Sequence, residues 1–288
     1  MGHIIEVKNL CYTYDGNAQI VKDAVHDISF LAKQGEIIGI IGHTGSGKST
    51  LVQHLNGLLK PSSGQVIIDG RNIWDEPKKI KDVRFKVGLV FQYPEYQLFE
   101  ETVFSDIAFG PKNMGLDGED LQECVQEICE VVGIKKEYFN KSPFDLSGGE
   151  KRRVAIAGVM AMKPKVLILD EPIAGLDPKG RREIVDMVSS YRQKYNATII
   201  IISHNMDDMA HLADKLLVLN GGKLEMFDTV YNVFKDADRL KKIGLGVPAV
   251  TEVLRELNKI NHNIRTDIFT VDEAVKYLCD FTAGDINA

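Results

Sequence analysis

One segment, Gly42-His-Thr-Gly-Ser-Gly-Lys-Ser49, restricts what this chain can fold into more than any other. It follows Glu36–Gly42 (EIIGIIG), a nearly continuous apolar run ending in glycine. Such a run suits a parallel strand buried on both faces. A helix is expected to begin at Lys48 and continue through Leu51, Val52 and Leu55 to Gly57. Strand, glycine loop ending in Lys-Ser, and helix together form the context in which G-x-x-x-x-G-K-[ST] binds phosphate. Gly45 and Gly47 let the backbone wrap an anion closely, and the helix N-terminus presents N–H groups and positive potential. The expected nucleotide-binding residues are Gly42, His43, Thr44, Gly45, Ser46, Gly47, Lys48, Ser49 and Thr50. Lys48 would reach the β- and γ-phosphates of ATP, and the Ser49 hydroxyl would ligate Mg²⁺.

A second motif fits the first. Val166-Leu-Ile-Leu-Asp170-Glu171 reads as a buried strand ending in two acids. Asp170 at the strand tip suits the Mg²⁺ shell. Glu171, one residue beyond, is placed to polarise a water toward the γ-phosphate. Asp-Glu after a strand is common, but its place on the same sheet as a phosphate loop favours the catalytic reading over a solvated turn.

Composition narrows the class. At 44% hydrophobic and 26% charged residues, the chain reads as an ordinary globular protein. A net charge of -6 argues against nucleic acid as a partner. No secretory signal pattern opens the sequence. The longest apolar runs, such as Ala197–Ile202, fall far short of the roughly 20 residues needed to cross a bilayer. Any membrane role is therefore expected to come through a partner. Cys11, Cys124, Cys129 and Cys279 form no C-x-x-C pair and read as reduced cysteines.

Residues 4–10 and 26–31 alternate as half-buried strands do. Further strands are expected at 65–69, 86–91, 166–170, 197–203 and 215–219. Between about 95 and 160 the pattern turns helical, with Leu121, Val125, Ile128 and Val132 at helical spacing and Gly133 as a stop. Two more helical patterns follow, one opened by Pro248 and one by the capping box Thr270–Glu273. The expectation is an α/β core over 1–235, with a small antiparallel β part and a helical insert at about 95–160, then a C-terminal helical extension over 236–288.

Leu146-Ser-Gly-Gly-Glu150 precedes Asp170 by about 20 residues. Ser147-x-x-Glu150 is a capping box, and its glycine-rich helix start is also an anion site. It cannot readily serve phosphates held by its own chain, because the 42–49 loop occupies that place. In order and spacing, Gly42–Thr50, Gln92, Leu146–Glu150, Val166–Glu171, Gly175-Leu-Asp177 and His204 resemble the nucleotide-binding subunits of ABC transporters. The resemblance spans residues 4 to about 230. It implies a P-loop ABC ATPase fold and a head-to-tail dimer, with each ATP shared between one chain's phosphate loop and the other chain's Ser147, Gly148, Gly149 and Glu150. It also implies that Gln92 bonds the Mg²⁺ or the attacking water, that His204 contacts the γ-phosphate, and that Asp177 acts across the dimer. Tyr14 would stack on adenine, with Tyr12 as the competing candidate. The family signature usually ends in Gln, whereas this chain has Glu150. A carboxylate aimed at a partner's phosphate would repel it, so Glu150 is expected to fold back onto the Ser147 N–H.

Phe91–Phe99 (FQYPEYQLF), Asp106–Asn113 (DIAFGPKN), and Ser142–Leu146 running into Arg152–Gly158 are similar to the ATPases of energy-coupling factor (ECF) transporters, within them the second of two paralogous subunits. That resemblance implies a heterodimer, a membrane-embedded T component, a substrate-recognising S component, uptake of vitamins or metal ions, and a place on the cytoplasmic face of the membrane. A conventional ABC transporter subunit and a soluble ABC ATPase switch are the alternatives. A short helix from Pro94, carrying Glu95, Tyr96, Leu98 and Phe99, is the expected docking site. Glu95, or neighbouring Glu100 or Glu101, is expected to pair with an arginine of the T component.

Overall fold

The computed structural model describes residues 2–14 and 22–286. Strands β1 (His3–Tyr14), β2 (Lys22–Lys33) and β3 (Ile37–Gly42) lead into helix α1 (Lys48–Leu55). Then come β4 (Ser63–Ile68), β5 (Arg71–Asn72), α2 (Ile80–Lys86) and β6 (Val87–Val90). Three helices follow, α3 (Val103–Asn113), α4 (Gly118–Val132) and α5 (Gly148–Met160). The sheet resumes with β7 (Val166–Asp170), α6 (Pro178–Tyr195), β8 (Thr198–Ile202), α7 (Met206–Leu212), β9 (Lys215–Asn220) and β10 (Lys223–Thr229). Helices α8 (Val230–Lys235), α9 (Ala237–Lys242), α10 (Ala249–Ile260) and α11 (Val271–Ile286) complete the described chain.

The central sheet has the order β10-β9-β3-β8-β7-β6, parallel from β9 to β6. Its strands are apolar almost throughout because both faces are covered. Alternation sorts them cleanly. Ile38, Ile40, Ile168, Ile200, Ile202, Leu217 and Leu219 face one core, shared with the antiparallel sheet β2-β1-β4-β5 and with α1. Ile37, Ile41, Leu167, Leu169, Ile199, Ile201, Leu216 and Val218 face the other, shared with α3–α6 and α7–α9. Each such side chain, fully buried, stabilises the fold by about 1.5–3 kcal/mol. Gly39 interrupts the second face because a Cβ there would strike Met209 of α7 and Leu216 of the neighbouring strand β9.

Two features of the packing were not legible from the pattern. Phe234, Ala237, Leu240, Leu245 and Val247 are buried in the main core, so packing does not break near residue 235. Among the described residues, Leu254, Ile268 and Ala274 form a separate small cluster. Strand β10 was not expected. Its mixed sequence, KLEMFDT, hides it, although Gly221-Gly222, both at positive φ, marked the hairpin turn.

Candidate nucleotide site

The parallel strands end at one edge of the sheet, and the site is built on their C-terminal tips. After β3 the chain enters the phosphate loop. Gly42 (φ +155) and Gly47 (φ +100) adopt backbone conformations suited to glycine, and a Cβ at either would strike a carbonyl, of Leu219 or Ala24. Gly47 caps α1 without a side chain, and no acid stands in the first turn, so that helix end keeps its positive potential for a ligand. Lys48 is 7% exposed, and its Nζ donates to the carbonyls of Gly42 (2.7 Å) and His43 (2.8 Å). Burial lowers its pKa, against the pull of Glu171 and Asp170.

Strand β7 delivers the acids opposite. Ser49 Oγ donates to Asp170 Oδ2 at 3.2 Å. Burial raises the Asp170 pKa despite Ser49 and Lys48. Glu171 sits at φ +51, a left-handed conformation that is unfavourable for a residue with a side chain. Its N–H is anchored to the Ile202 carbonyl at 3.0 Å. Burial, then repulsion from Asp170, pushes the Glu171 carboxyl up to about 7. Its Oε1 lies 3.2 Å from His204 Nε2, while burial and Lys48 hold the His204 pKa down. A carboxyl balanced near neutrality beside a neutral imidazole suits a general base.

These groups line one cleft of about 420 Å³, with Tyr14, Thr44, Gly45, Gly47, Ser49, Thr50 and Gln92 in its wall. Tyr14 reaches it by a hydroxyl contact with Thr50 Oγ1 at 3.2 Å. Tyr12 instead packs edge-on against His54, with centroids 4.7 Å apart. Gly42, His43 and Ser46, expected with the loop, lie outside the cleft wall. The His43 ring turns away to the Ile243 carbonyl, and Ser46 Oγ is buried without a partner.

None of the signature residues lines that cleft. Ser147, Gly148, Gly149 and Glu150 line a second hollow with Gly175 and Asp177. The capping box is complete. Ser147 N–H and Oγ–H donate to Glu150 Oε2 (2.9 and 2.6 Å), and Glu150 N–H donates to Ser147 Oγ (3.4 Å). Glu150 therefore folds back, and Ser147 and Tyr138 hold its pKa down. Asp177 caps α6, accepting from Gly180 N–H at 2.7 Å.

The docking segment needs correction. Glu95 is not free for a partner. It holds Arg152 through two bonds, from Nε (2.9 Å) and Nη2 (2.7 Å), while Arg152 Nη1 donates to the carbonyls of Ala174 (2.6 Å) and Pro172 (3.3 Å). Burial raises the Glu95 pKa, but the Arg152 bonds and charge outweigh it and leave the carboxyl below its ordinary range. Arg152 thus pins the turn at Pro94, helix α5 and the chain after Glu171 to one another. Leu98 is buried, on the floor of a groove whose rim carries Phe99 and Phe109, stacked edge-to-face at 4.9 Å. Tyr96 is 84% exposed. Asp106, missed in the sequence, lies in the same groove, accepts from Phe99 and Glu100 N–H groups, and has its pKa raised by burial.

The chain has relatives in one well-populated family. Residues 25–174 match the family model described as ABC transporter. An "Energy-coupling factor transporter ATP-binding protein EcfA2" from Caldanaerobacter subterraneus subsp. tengcongensis is 54% identical over 98% of this chain and 99% of its own. One of the same name from Clostridium perfringens is 51% identical over 96% and 97%. The structure of cbiO1 from Clostridium perfringens, described as part of the ABC transporter complex cbiONQ, superposes with a TM-score of 0.74 at 38% identity, covering 84% of this chain and 95% of that one. A dimeric ATP-binding cassette, MJ0796, bound to ADP and Pi, gives 0.70 at 26% identity, covering 78% and 98%. Cleft, signature hollow and relatives converge: the chain belongs to the ABC transporter family, as the ATP-binding and ATP-hydrolysing subunit of an energy-coupling factor transporter.

Proposed function

We propose that each ATP is shared between this chain's phosphate-loop cleft and the Ser147–Glu150 surface of a paralogous ATPase subunit, in a heterodimer. The observation that carries this reading is the separation of the two surfaces: no signature residue lines the cleft of its own chain. An anion in the cleft would meet Lys48, the α1 N-terminus and His204 on one side. The opposite side is left for a second helix N-terminus to close.

Mg²⁺ fits the donor set. Ser49 and Asp170 already touch, Gln92 stands in the same wall, and all three offer oxygen, the preference of a hard cation. No group of three or more His, Cys, Asp or Glu side chains able to hold a metal ion occurs among the described residues. That agrees with a Mg²⁺ that takes most of its ligands from phosphate and water. When bound, the ion would neutralise charge on the phosphate oxygens. Glu171 takes the proton of the attacking water, and His204 Nε2 holds the γ-phosphate end in place. Lys48 Nζ, an ammonium with three donors, bonds the phosphate oxygens.

Coupling to transport runs through the groove beside Pro94. No helix of the described residues is long and apolar enough to cross a membrane, so a membrane-embedded T component, with an S component behind it, supplies the path for vitamins or metal ions. The T component docks on Tyr96, Phe99 and Phe109 from the cytoplasmic side, with Asp106 replacing Glu95 as the acid that meets its arginine. Asp106→Asn keeps the acceptor for Phe99 N–H but removes the charge.

The test is the Glu171→Gln variant mixed with the paralogous subunit and Mg-ATP. The expected result is an ATP-laden heterodimer that persists through size-exclusion chromatography and dissociates when this chain's own signature surface is disrupted by Ser147→Arg. An ATP-bound variant that stays monomeric overturns the shared site.

A further inference from the structure

The segment joining α9 to α10 touches the nucleotide site at two points that no motif singles out. At one end, His43 Nε2 hydrogen-bonds the Ile243 carbonyl, which is 200 positions away in the chain. A carbonyl only accepts, so Nε2 carries the proton in that bond. Gly244 lies directly under the ring. Its φ is +69, and a Cβ there would stand 3.0 Å from the imidazole, so the position suits glycine on both counts. At the other end, Ala249 N–H donates to Asp207 Oδ1 at 2.9 Å. Asp207 is in the first turn of α7, whose cap Asn205 directly follows His204. Between the anchors, Leu245 and Val247 are buried in the main core, so the segment is not a slack tether.

His43 is itself fixed to the catalytic lysine, because its carbonyl accepts from Lys48 Nζ at 2.8 Å. The chain of contacts therefore runs from Lys48 through His43, the 243–249 segment and Asp207 to the loop carrying His204. Lys48 and His204 line the same cleft. A phosphate gripped by both depends on their separation, and errors of about 1 Å in such placements cost up to about 100-fold in rate.

We infer that residues 243–249 form a strap that sets the spacing between the phosphate loop and the His204 loop, with His43 and Asp207 as its positioning residues. Neither side chain lines the cleft. Both act by holding backbone that does. The inference rests on the reading of His204 as a contact to the γ-phosphate end.

The test measures steady-state ATP hydrolysis by the assembled heterodimer carrying His43→Ala, Asp207→Ala or both. Each single change is expected to lower kcat about tenfold while KM for ATP moves less than about twofold. The double variant should fall no further than the worse single one, because either cut frees the same strap. His43→Gln and Asp207→Asn, which keep a donor and an acceptor, should recover most of the rate. In the full-length chain, His43→Ala should also speed amide hydrogen exchange at the far anchor, residues 204–209. Multiplying effects in the double variant, a KM rise at constant kcat, or unchanged exchange at 204–209 would each overturn the strap. His204→Ala is run alongside. Unchanged turnover there defeats the site reading, whereas normal loss there with silent strap variants defeats only the strap.

Discussion

The phosphate-loop cleft and the Ser147–Glu150 hollow are built on opposite principles. The cleft concentrates unsolved electrostatics. Lys48 is buried against carbonyls, Glu171 is pushed up to about 7, and Asp170 is raised by the same burial. The signature surface is internally satisfied. Ser147 and Glu150 complete each other's bonds, and Asp177 caps its own helix. A strained surface waits for its ligand. A satisfied surface can be presented to another chain without upsetting the fold that carries it. Changes in the cleft should therefore cost activity and release strain, whereas changes on the signature side should cost fold or assembly.

The largest effect belongs to the cleft. Glu171→Gln should slow hydrolysis by about 10²–10⁴-fold, measured as phosphate release from the assembled complex. A loss below tenfold would remove Glu171 from the role of base. Next comes Arg152, which stands between cleft and hollow. Arg152→Ala leaves the half-buried Glu95 without its partner and should lower unfolding free energy by about 2–3 kcal/mol in denaturant titrations. A drop under about 1 kcal/mol would show that the pair is ornamental.

The third prediction sharpens the contrast through pH. Glu171 has a folded pKa near 7 against an ordinary 4.5. A raised pKa means that the folded state is fully favoured only below about 4.5, and that this contribution is lost as pH climbs through about 7. Glu171→Gln should therefore stabilise the nucleotide-free protein above pH 7, by up to about 3 kcal/mol, and leave it unchanged near pH 4.5. Equal Tm shifts at both pH values would break the claim of a frustrated cleft. Ser147→Ala, on the satisfied side, should cost about 1 kcal/mol through loss of the cap. Glu150→Gln should change ATP-driven dimerisation least, within about twofold, because its carboxylate already faces inward. Several-fold tighter pairing would mean that the carboxylate turns outward in the dimer.

Legibility followed distance along the chain. That residues 44–50 and the Asp170–Glu171 pair meet in one cleft could be expected because each is a contiguous segment at the end of a strand with an unmistakable apolar pattern. The fold-back of Glu150 was readable because a capping box spans only three positions. Arg152 with Glu95, 57 residues apart, and His43 with Ile243, 200 apart, carry no local signal. An arginine on a helix reads as solvated, and a histidine inside a phosphate loop reads as a phosphate ligand. Leu98 was placed on the surface because the aromatic and acidic residues around it are exposed, while the turn at Pro94 points this one side chain inward. The boundary expected near 235 came from a change in pattern, yet packing ignores it.

The exposed aromatic side chains Tyr96, Phe99 and Phe109 have a consequence for the living cell. Exposed apolar clusters invite chaperones, proteases and aggregation. Copies made in excess of whatever surface covers those rings would be cleared faster than assembled ones. The survival of this subunit would then depend on how much of its covering surface the cell makes.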